Sequence, residues 1–304
     1  MQMMKGRSML EFRKLELYDI PLVSKYIDKV SSRICDVTIG GIFIWRDLFK
    51  AEIALYDDMI FFKVLYLRNQ IAFSRPIASD INKAINILSE YTRSNNIPLV
   101  MCTLTYDLVD IIKKNNTVLK ITEERDWFDY LYKSEDLINL IGKKYSSVRN
   151  NINVFNKLYP NNKFVVINKD NIDKAIAFFK RTADFLDKSN IIKYEDTHKT
   201  LEVLENNDLY KFVGGILFVD DQVVGFSLGE VKDDVFYTHI EKGDVSYKGV
   251  YQVLVNRMSK EFCSKITYIN REDDSGEEGM RASKLKYRPI KLLEKLTVII
   301  NDKK

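Results

Sequence analysis

The feature that most constrains this chain is an order of elements that occurs twice. "FRKLELYDIPLVSKYID" (Phe12 to Asp28) reads as a strand, then Asp19 as a helix cap, then a helix with Leu22, Val23, Tyr26 and Ile27 at helical spacing. "KFVVINKDNIDKAIAFFK" (Lys163 to Lys180) repeats the design, with Asp170 as cap and Ile172, Ile176 and Phe179 as the apolar stripe. An aspartate at such a place accepts the free N–H groups of the first helical turn.

The elements after each copy also match in order. In the first half, Ile53–Tyr56, Met59–Leu65 and Gln70–Phe73 read as strands. A helix at Ser79–Arg93, a strand at Ile97–Thr103 and a helix at Tyr106–Lys114 come next. In the second half the strands are Phe212–Val219, Gln222–Val231 and Val235–Ile240, the first two joined by a hairpin turn at Asp220–Asp221. A helix at Gly249–Phe262, a strand at Lys265–Asn270, a helix near Glu277–Leu285 and a last strand at Leu293–Ile300 complete it. The order implies a mixed α/β (α+β) chain with an N-terminal domain at 1–133, a helical connector at 134–160 and a C-terminal domain at 161–304.

In the connector, Tyr145, Val148, Ile152, Phe155 and Tyr159 form an inward stripe at spacings of three and four. Its other faces carry Lys143, Lys144, Arg149 and Lys157, which make either a solvated basic face or an anion-binding edge. Composition excludes several classes. Apolar residues are 46%, enough for a sizeable core, and Lys plus Arg exceeds Asp plus Glu by only four, 47 against 43. Three distant cysteines, Cys35, Cys102 and Cys263, imply buried thiols in a reducing cytoplasm rather than a disulfide framework. No apolar run approaches the ~18 residues that span a bilayer, and the opening "MQMMKGRSMLEF" lacks a signal-peptide core. With only His198 and His239, no histidine metal centre is expected.

The segments "DYLYKSEDLINLIGKKYSSVRNNINVF", "THIEKGDVSYKGVYQVLVNRM" and "YINREDDSGEEGMRASKLKYRP" resemble the C-terminal domain family of bacterial phosphatidylglycerol lysyltransferases and its soluble relatives. The resemblance covers nearly the whole chain, and the last motif is long and specific. Gly243, Val250 and Met280 depart mildly from the family pattern. The resemblance implies two tandem acyl-CoA N-acyltransferase-like domains of the Gcn5-related acetyltransferase (GNAT) type. In that fold the strand ending at Ile240 parts from a parallel neighbour ending at Asn270, and a reacting carbonyl lies in the gap.

Polar residues fall on both sides of such a gap. His239, Glu241, Glu272 and Asp273 are candidates for taking a proton from an amine acceptor. Arg271, Arg281, Lys284 and Arg288 are candidates for a cationic substrate wall, or pair with the neighbouring acids, and Asn270 is a polar substrate-binding candidate beside them. A CoA enzyme of this fold cradles pyrophosphate on bare amides at a helix N-terminus. Here Lys248 and Gly249 keep part of that pattern, but Tyr251 occupies a position where a small residue is needed. The resemblance therefore points to an aminoacyl-tRNA donor, with Lys144 and Arg149 among the basic residues that meet its backbone. The acceptor is an amine or hydroxyl on a small molecule, peptide or lipid headgroup. Two other readings stand beside this one: a CoA-dependent N-acyltransferase, and a non-catalytic binding protein of the same fold.

Overall fold

The computed structural model describes residues 10–66 and 70–301, so the opening "MQMMKGRSM" lies outside the described residues. Strands β1 to β7 are Arg13–Lys14, Glu52–Tyr56, Met59–Tyr66, Gln70–Ser74, Leu99–Leu104, Val118–Glu123 and Asp129–Lys133. Strands β8 to β14 are Asn162–Val166, Val213–Val219, Gln222–Lys232, Val235–Gly243, Tyr268–Asn270, Lys291–Leu293 and Leu296–Ile300. Helices α1 to α6 are Ile20–Ile27, Ile39–Phe43, Ile81–Ser94, Tyr106–Asn115, Ser134–Asn139 and Ser146–Leu158. Helices α7 to α11 are Ile172–Thr182, Ile191–Glu205, Asn207–Tyr210, Val250–Phe262 and Glu278–Lys286.

The strands form two seven-stranded sheets of the same design. One has the order β1-β2-β3-β4-β5-β14-β6, the other β8-β9-β10-β11-β12-β7-β13. Each sheet runs through five successive strands of one half and takes its next strand from the other half. The last strand of the chain, β14, lies between β5 and β6, while β7 lies between β12 and β13. Two strands therefore sit opposite to expectation. Residues 129–133 were placed with the N-terminal half and pair in the second sheet; Leu296–Ile300 was placed with the C-terminal half and pairs in the first. The physical reason for the first is visible in the side chains. Tyr130, Leu131 and Tyr132 are all buried, so β7 is apolar on both faces and suits the interior of a covered sheet, where its backbone pairs with β12 and β13.

Two compact units result. One comprises the segment ending at Val30, Arg46–Glu124 and the segment from Glu294; the other comprises Ser31–Trp45 and Arg125–Leu293. The first packs α3 and α4 against its sheet around Phe61, Phe73, Leu88 and Met101. The second packs α5, α6 and α10 around Tyr132, Tyr145, Phe155, Phe236, Leu254 and Ile269. In α6, Val148 and Phe155 of the expected stripe are buried. The hairpin between β9 and β10 is a primed turn, with Asp220 and Asp221 both at positive φ (47° and 64°).

Local capping differs from the sequence reading. The Asp19 carboxylate accepts from Arg13 and from the Glu16 amide rather than from the first turn of α1. The residue before α7 is Asn171, not Asp170, and its side chain accepts from Asn168. Helices α8 and α9 are not legible in the sequence, because α8 buries the polar Lys199 and Thr200 beside Val203 and Leu204 and so shows no sustained apolar stripe. The three cysteines are free and buried.

Candidate active site

The second sheet builds a split of the expected kind. Strands β11 and β12 are parallel, paired at Val235↔Tyr268, Phe236↔Ile269 and Tyr237↔Asn270. There β12 ends, whereas β11 continues alongside β10 to Gly243. Among the described residues, β11 has no strand partner on its β12 side from Thr238 onward. Its pairing with β10 also slips here. Leu228 faces Ile240 and Gly229 faces Thr238, so His239 is an extra, bulged residue. A bulge re-aims one side chain without breaking the strand.

The chain leaving β12 is held tightly. Asn270 is fully buried and its amide donates to the Arg33 carbonyl (2.8 Å) and to Asp129 (2.9 Å), while its oxygen accepts from the Glu272 amide (2.7 Å). Asn270 is thus a scaffold residue with no face toward a substrate. Asp129 also accepts from the Cys35 amide (2.7 Å) and contacts the Cys35 thiol. That corner brings Cys35, Asp36 and Asp129 together, but Asp129 already serves as acceptor to protein N–H groups on one oxygen and to the thiol on the other.

Two ion pairs lace the split, with their charges reversed. Arg271 donates to Glu241 at 2.5 Å. One residue later, Glu272 accepts from His239 Nδ1 at 2.6 Å. The cation thus comes from the β12 side in one pair and from β11 in the other. Arg271 is buried and lies 4.9 Å above the Tyr287 ring; burial opposes its charge, but Glu241 and the surrounding phenols hold its pKa above the ordinary value. A guanidinium placed this way fixes Glu241; it does not reach outward as a substrate arm. Glu272 occupies the left-handed region (φ 55°), unusual for a non-glycine residue and common at functional sites.

His239 has both ring nitrogens engaged, Nδ1 by Glu272 and Nε2 by Glu230 at 2.8 Å. Burial alone would lower its pKa, but Glu272 and Glu230 outweigh burial and raise it to about 10. The ring is an imidazolium at neutral pH. It has no free lone pair, so it cannot be the imidazole base that the sequence offered.

Three cations of the expected wall, Arg271, Arg281 and Lys284, are engaged by the protein itself, whereas Arg288 is exposed. Lys284 is buried and donates to the carbonyls of Arg271 (2.5 Å) and Asp273; burial pushes its pKa down. Arg281 grips Asp274 through Nε (3.0 Å) and Nη2 (2.7 Å) and also pairs with Asp126. Asp274 is fully buried and further accepts from the Tyr130 hydroxyl (2.5 Å), Arg125 (3.3 Å) and the Gly276 amide (3.1 Å). Burial would raise its pKa, but Arg281 and Tyr130 bring it down to about 2. Asp273 is half-buried and folds its own turn by accepting from the amide and hydroxyl of Ser275. The wall of cations is a clasp around one loop, and the groups left facing the split are the carboxylates Glu241 and Glu272.

The loop before α10 is closed as well. The Ser246 amide donates to the Asp244 carboxylate, the Tyr247 amide to the Asp244 carbonyl and the Val250 amide to the Tyr247 carbonyl. Gly249 has positive φ (92°), and a Cβ there would meet the Asn151 carbonyl of α6 at 2.5 Å. Three amides of this loop, those of Ser246, Tyr247 and Val250, thus have acceptors, one of them the Asp244 carboxylate. Tyr251 lies just inside α10 with its hydroxyl 3.4 Å from the Gly243 carbonyl, and Lys248 is exposed.

On the connector, Arg149 caps the carbonyls of Leu140 and Gly142 (2.7 Å for the second), and Lys144 pairs with Asp136 at 3.6 Å. Both are therefore occupied, in contrast to their sequence role as phosphate contacts.

A family model described as "Phosphatidylglycerol lysyltransferase, C-terminal" matches residues 28–299. The chain belongs to the phosphatidylglycerol lysyltransferase C-terminal family. A conserved protein of unknown function from Bacteroides thetaiotaomicron has a similar crystal structure, with a TM-score of 0.85 and 28% identity over 96% of this chain and 100% of that one. The C-terminal domain of a putative lysylphosphatidylglycerol synthetase from Agrobacterium fabrum shares the fold at TM-score 0.64 and 10% identity, covering 93% of this chain and 91% of its own. L-PGS from Bacillus licheniformis does so at 0.61 and 10%, covering 93% and 92%. A curated relative, the uncharacterized protein MYCGA3080 of Mycoplasmoides gallisepticum, is 24% identical over 172 residues; the match spans 56% of this chain and 55% of that relative. The two-sheet mixed α/β fold is thus shared with these lysylphosphatidylglycerol synthetase domains. Among the described residues no helix is long and apolar enough to cross a membrane.

Sequence reasoning missed Glu230. Glu230 is the one acid in "FSLGEV", an otherwise apolar stretch of β10, and an acid in such a stretch needs a partner. Gly40 lies so near His239 that a Cβ would stand 2.3 Å from Nε2.

Proposed function

We propose that the second unit transfers an aminoacyl group from an aminoacyl-tRNA to an amine or hydroxyl acceptor in the cytoplasm. The observation that carries this reading is the acid-lined split. Glu241 and Glu272 are each paired to a cation through one oxygen, at the place where the resemblance puts the reacting carbonyl. Carboxylates there suit an acceptor that must lose a proton and an acyl group that carries an ammonium, more than they suit a neutral acetyl group. The loop before α10 speaks against CoA as donor, because a pyrophosphate would meet the Asp244 carboxylate and the bulk of Tyr251 where a small residue is needed. Lys143 and Lys157 are the exposed cations that remain on the connector for a tRNA backbone.

The acceptor is a free amine, a peptide or a lipid headgroup. The test is a transfer assay with tRNA charged in turn with single labelled amino acids, run beside labelled acetyl-CoA. Transfer of label from charged tRNA to a small amine, weakening steeply with salt, is the expected result. Transfer from acetyl-CoA alone would replace this reading with the CoA-dependent one. No transfer from either donor, with no thermal stabilisation by either, would leave a binding protein of this fold.

A further inference from the structure

The most unusual group in the molecule is the His239 ring, buried and held between two carboxylates. Its neighbours account for every side. Nδ1 meets Glu272, in the segment after β12, at 2.6 Å, and Nε2 meets Glu230 of β10 at 2.8 Å. Phe212 stacks on the ring at 5.0 Å, and Tyr237 lies parallel at 6.3 Å with its hydroxyl directed to the Ser32 carbonyl. Helix α2 closes the remaining side with the bare backbone of Gly40. Glu230 is itself fixed, accepting from the amides of Gly40 (2.7 Å) and Ile39 (3.4 Å). The chain of contacts runs from α2 through Glu230 and His239 to Glu272, and of these only Glu272 has an oxygen to spare at the split.

We propose that Glu230, His239 and Glu272 form a carboxylate–imidazolium–carboxylate relay, anchored on the Gly40 amide, that aims Glu272 at the acceptor. Glu272 is the catalytic residue; His239 and Glu230 are positioning residues. This rests on the acyl-transfer reading. As the acceptor nitrogen bonds to the donor's ester carbon, Glu272 takes its proton. The bond from that carbon to the donor oxygen breaks, and the same proton passes from Glu272 to the leaving oxygen. The products are an amide and a free hydroxyl, and Glu272 is again a carboxylate. His239 fixes the Glu272 rotamer throughout, as an oriented partner does in other relays.

The test has two independent arms. Nitrogen NMR of the imidazole rings in the full chain needs only one variant for assignment, His198→Gln, since the chain has two histidines. Both His239 nitrogens should be protonated at pH 7, and Glu230→Gln should move the ring's titration down by a pH unit or more. A neutral His239 ring at pH 7 in the unaltered protein overturns the relay without any variant having to fold. In the transfer assay, Glu272→Gln should lower kcat by on the order of 100-fold with KM little changed. His239→Gln should lower kcat by about tenfold with KM little changed, because Glu272 loses the partner that fixes it. An unchanged kcat would reduce His239 to a packing residue and end the proposal. Absence of transfer by the unaltered protein would overturn the function and the proton-accepting role of Glu272 together, while the ring titration still decides the relay.

Discussion

Both units contain a parallel strand pair joined by one helix, and the two pairs end very differently. In the first unit β4 and β5 pair at Phe73↔Met101 and Ser74↔Cys102, with α3 between them in sequence. In the second, β11 and β12 are joined through α10. Beyond the last pair the first unit places Arg75 and Thr103. Among the described residues Arg75 makes no ion pair, and its Nε and the hydroxyls of Thr103 and Thr105 are sealed from solvent without an acceptor. The second unit places two reversed ion pairs, a relay and a clasped loop at the same point. The fold supplies a split in each unit; only one of them is furnished with charge complementarity. Fold and function thus separate within one chain.

The sharpest way to break this comparison is through Asp274. Replacing it with Ala strands Arg281 and Arg125 beside a buried Tyr130 hydroxyl, which should cost about 3–5 kcal/mol in urea unfolding. A loss under about 1 kcal/mol would mean that the loop after β12 is held by something other than this clasp.

Next is the pair that fixes Glu241. Arg271→Ala leaves a half-buried carboxylate unpaired and empties the space above Tyr287. Destabilisation of about 3 kcal/mol is expected. The double variant with Glu241→Gln should recover part of it, with a coupling of roughly 1 kcal/mol or more. Additive effects would show that Arg271 acts through packing and that the charge reversal across the split is incidental.

Stability against pH sharpens the same contrast. His239 has a folded pKa of about 10, above its unfolded value of about 6.5. Its contribution is therefore complete below about pH 6.5 and is lost as pH rises toward 10. Asp274 behaves oppositely: with a folded pKa of about 2 against about 3.9 unfolded, it contributes above about pH 4 and fades as pH falls toward 2. Both charges lie in the second unit, and chemical denaturation across pH should show both limbs there. Glu230→Gln should remove much of the alkaline limb and leave the acid one unchanged.

How much of this was legible in the sequence differs by level. The strand and helix order was, because apolar periodicity and turn chemistry are local; β10, β11, α10 and α11 fall within a few residues of where the pattern put them. The exchange of β7 and β14 was not, because strand pairing is a long-range property and neither strand records its partner. The acids and bases around the split were nearly all found, yet most of their roles were not. "NREDDSGEEGMRASK" shows which charges are close along the chain, but not that Asp274 would be sealed and Asp273 left at the edge. Glu230 and Gly40 reach the site from elements outside the motif, so only the folded chain brings them to His239.

The smallest expected effect closes the comparison from the other side. Arg75 is partly buried, and burial lowers its pKa against a weaker pull from Asp107. A cation desolvated without an ion pair costs stability, and here the packing of the arginine stem offsets part of that cost. Arg75→Ala should therefore change unfolding free energy by no more than about 0.5–1 kcal/mol, in either direction. Transfer activity should be unchanged, since no part of the reaction is placed in the first unit. If activity instead collapses while the fold survives, the arginine and the two unsatisfied threonine hydroxyls belong to a working site. The furnished split and the bare one would then be two halves of a single mechanism.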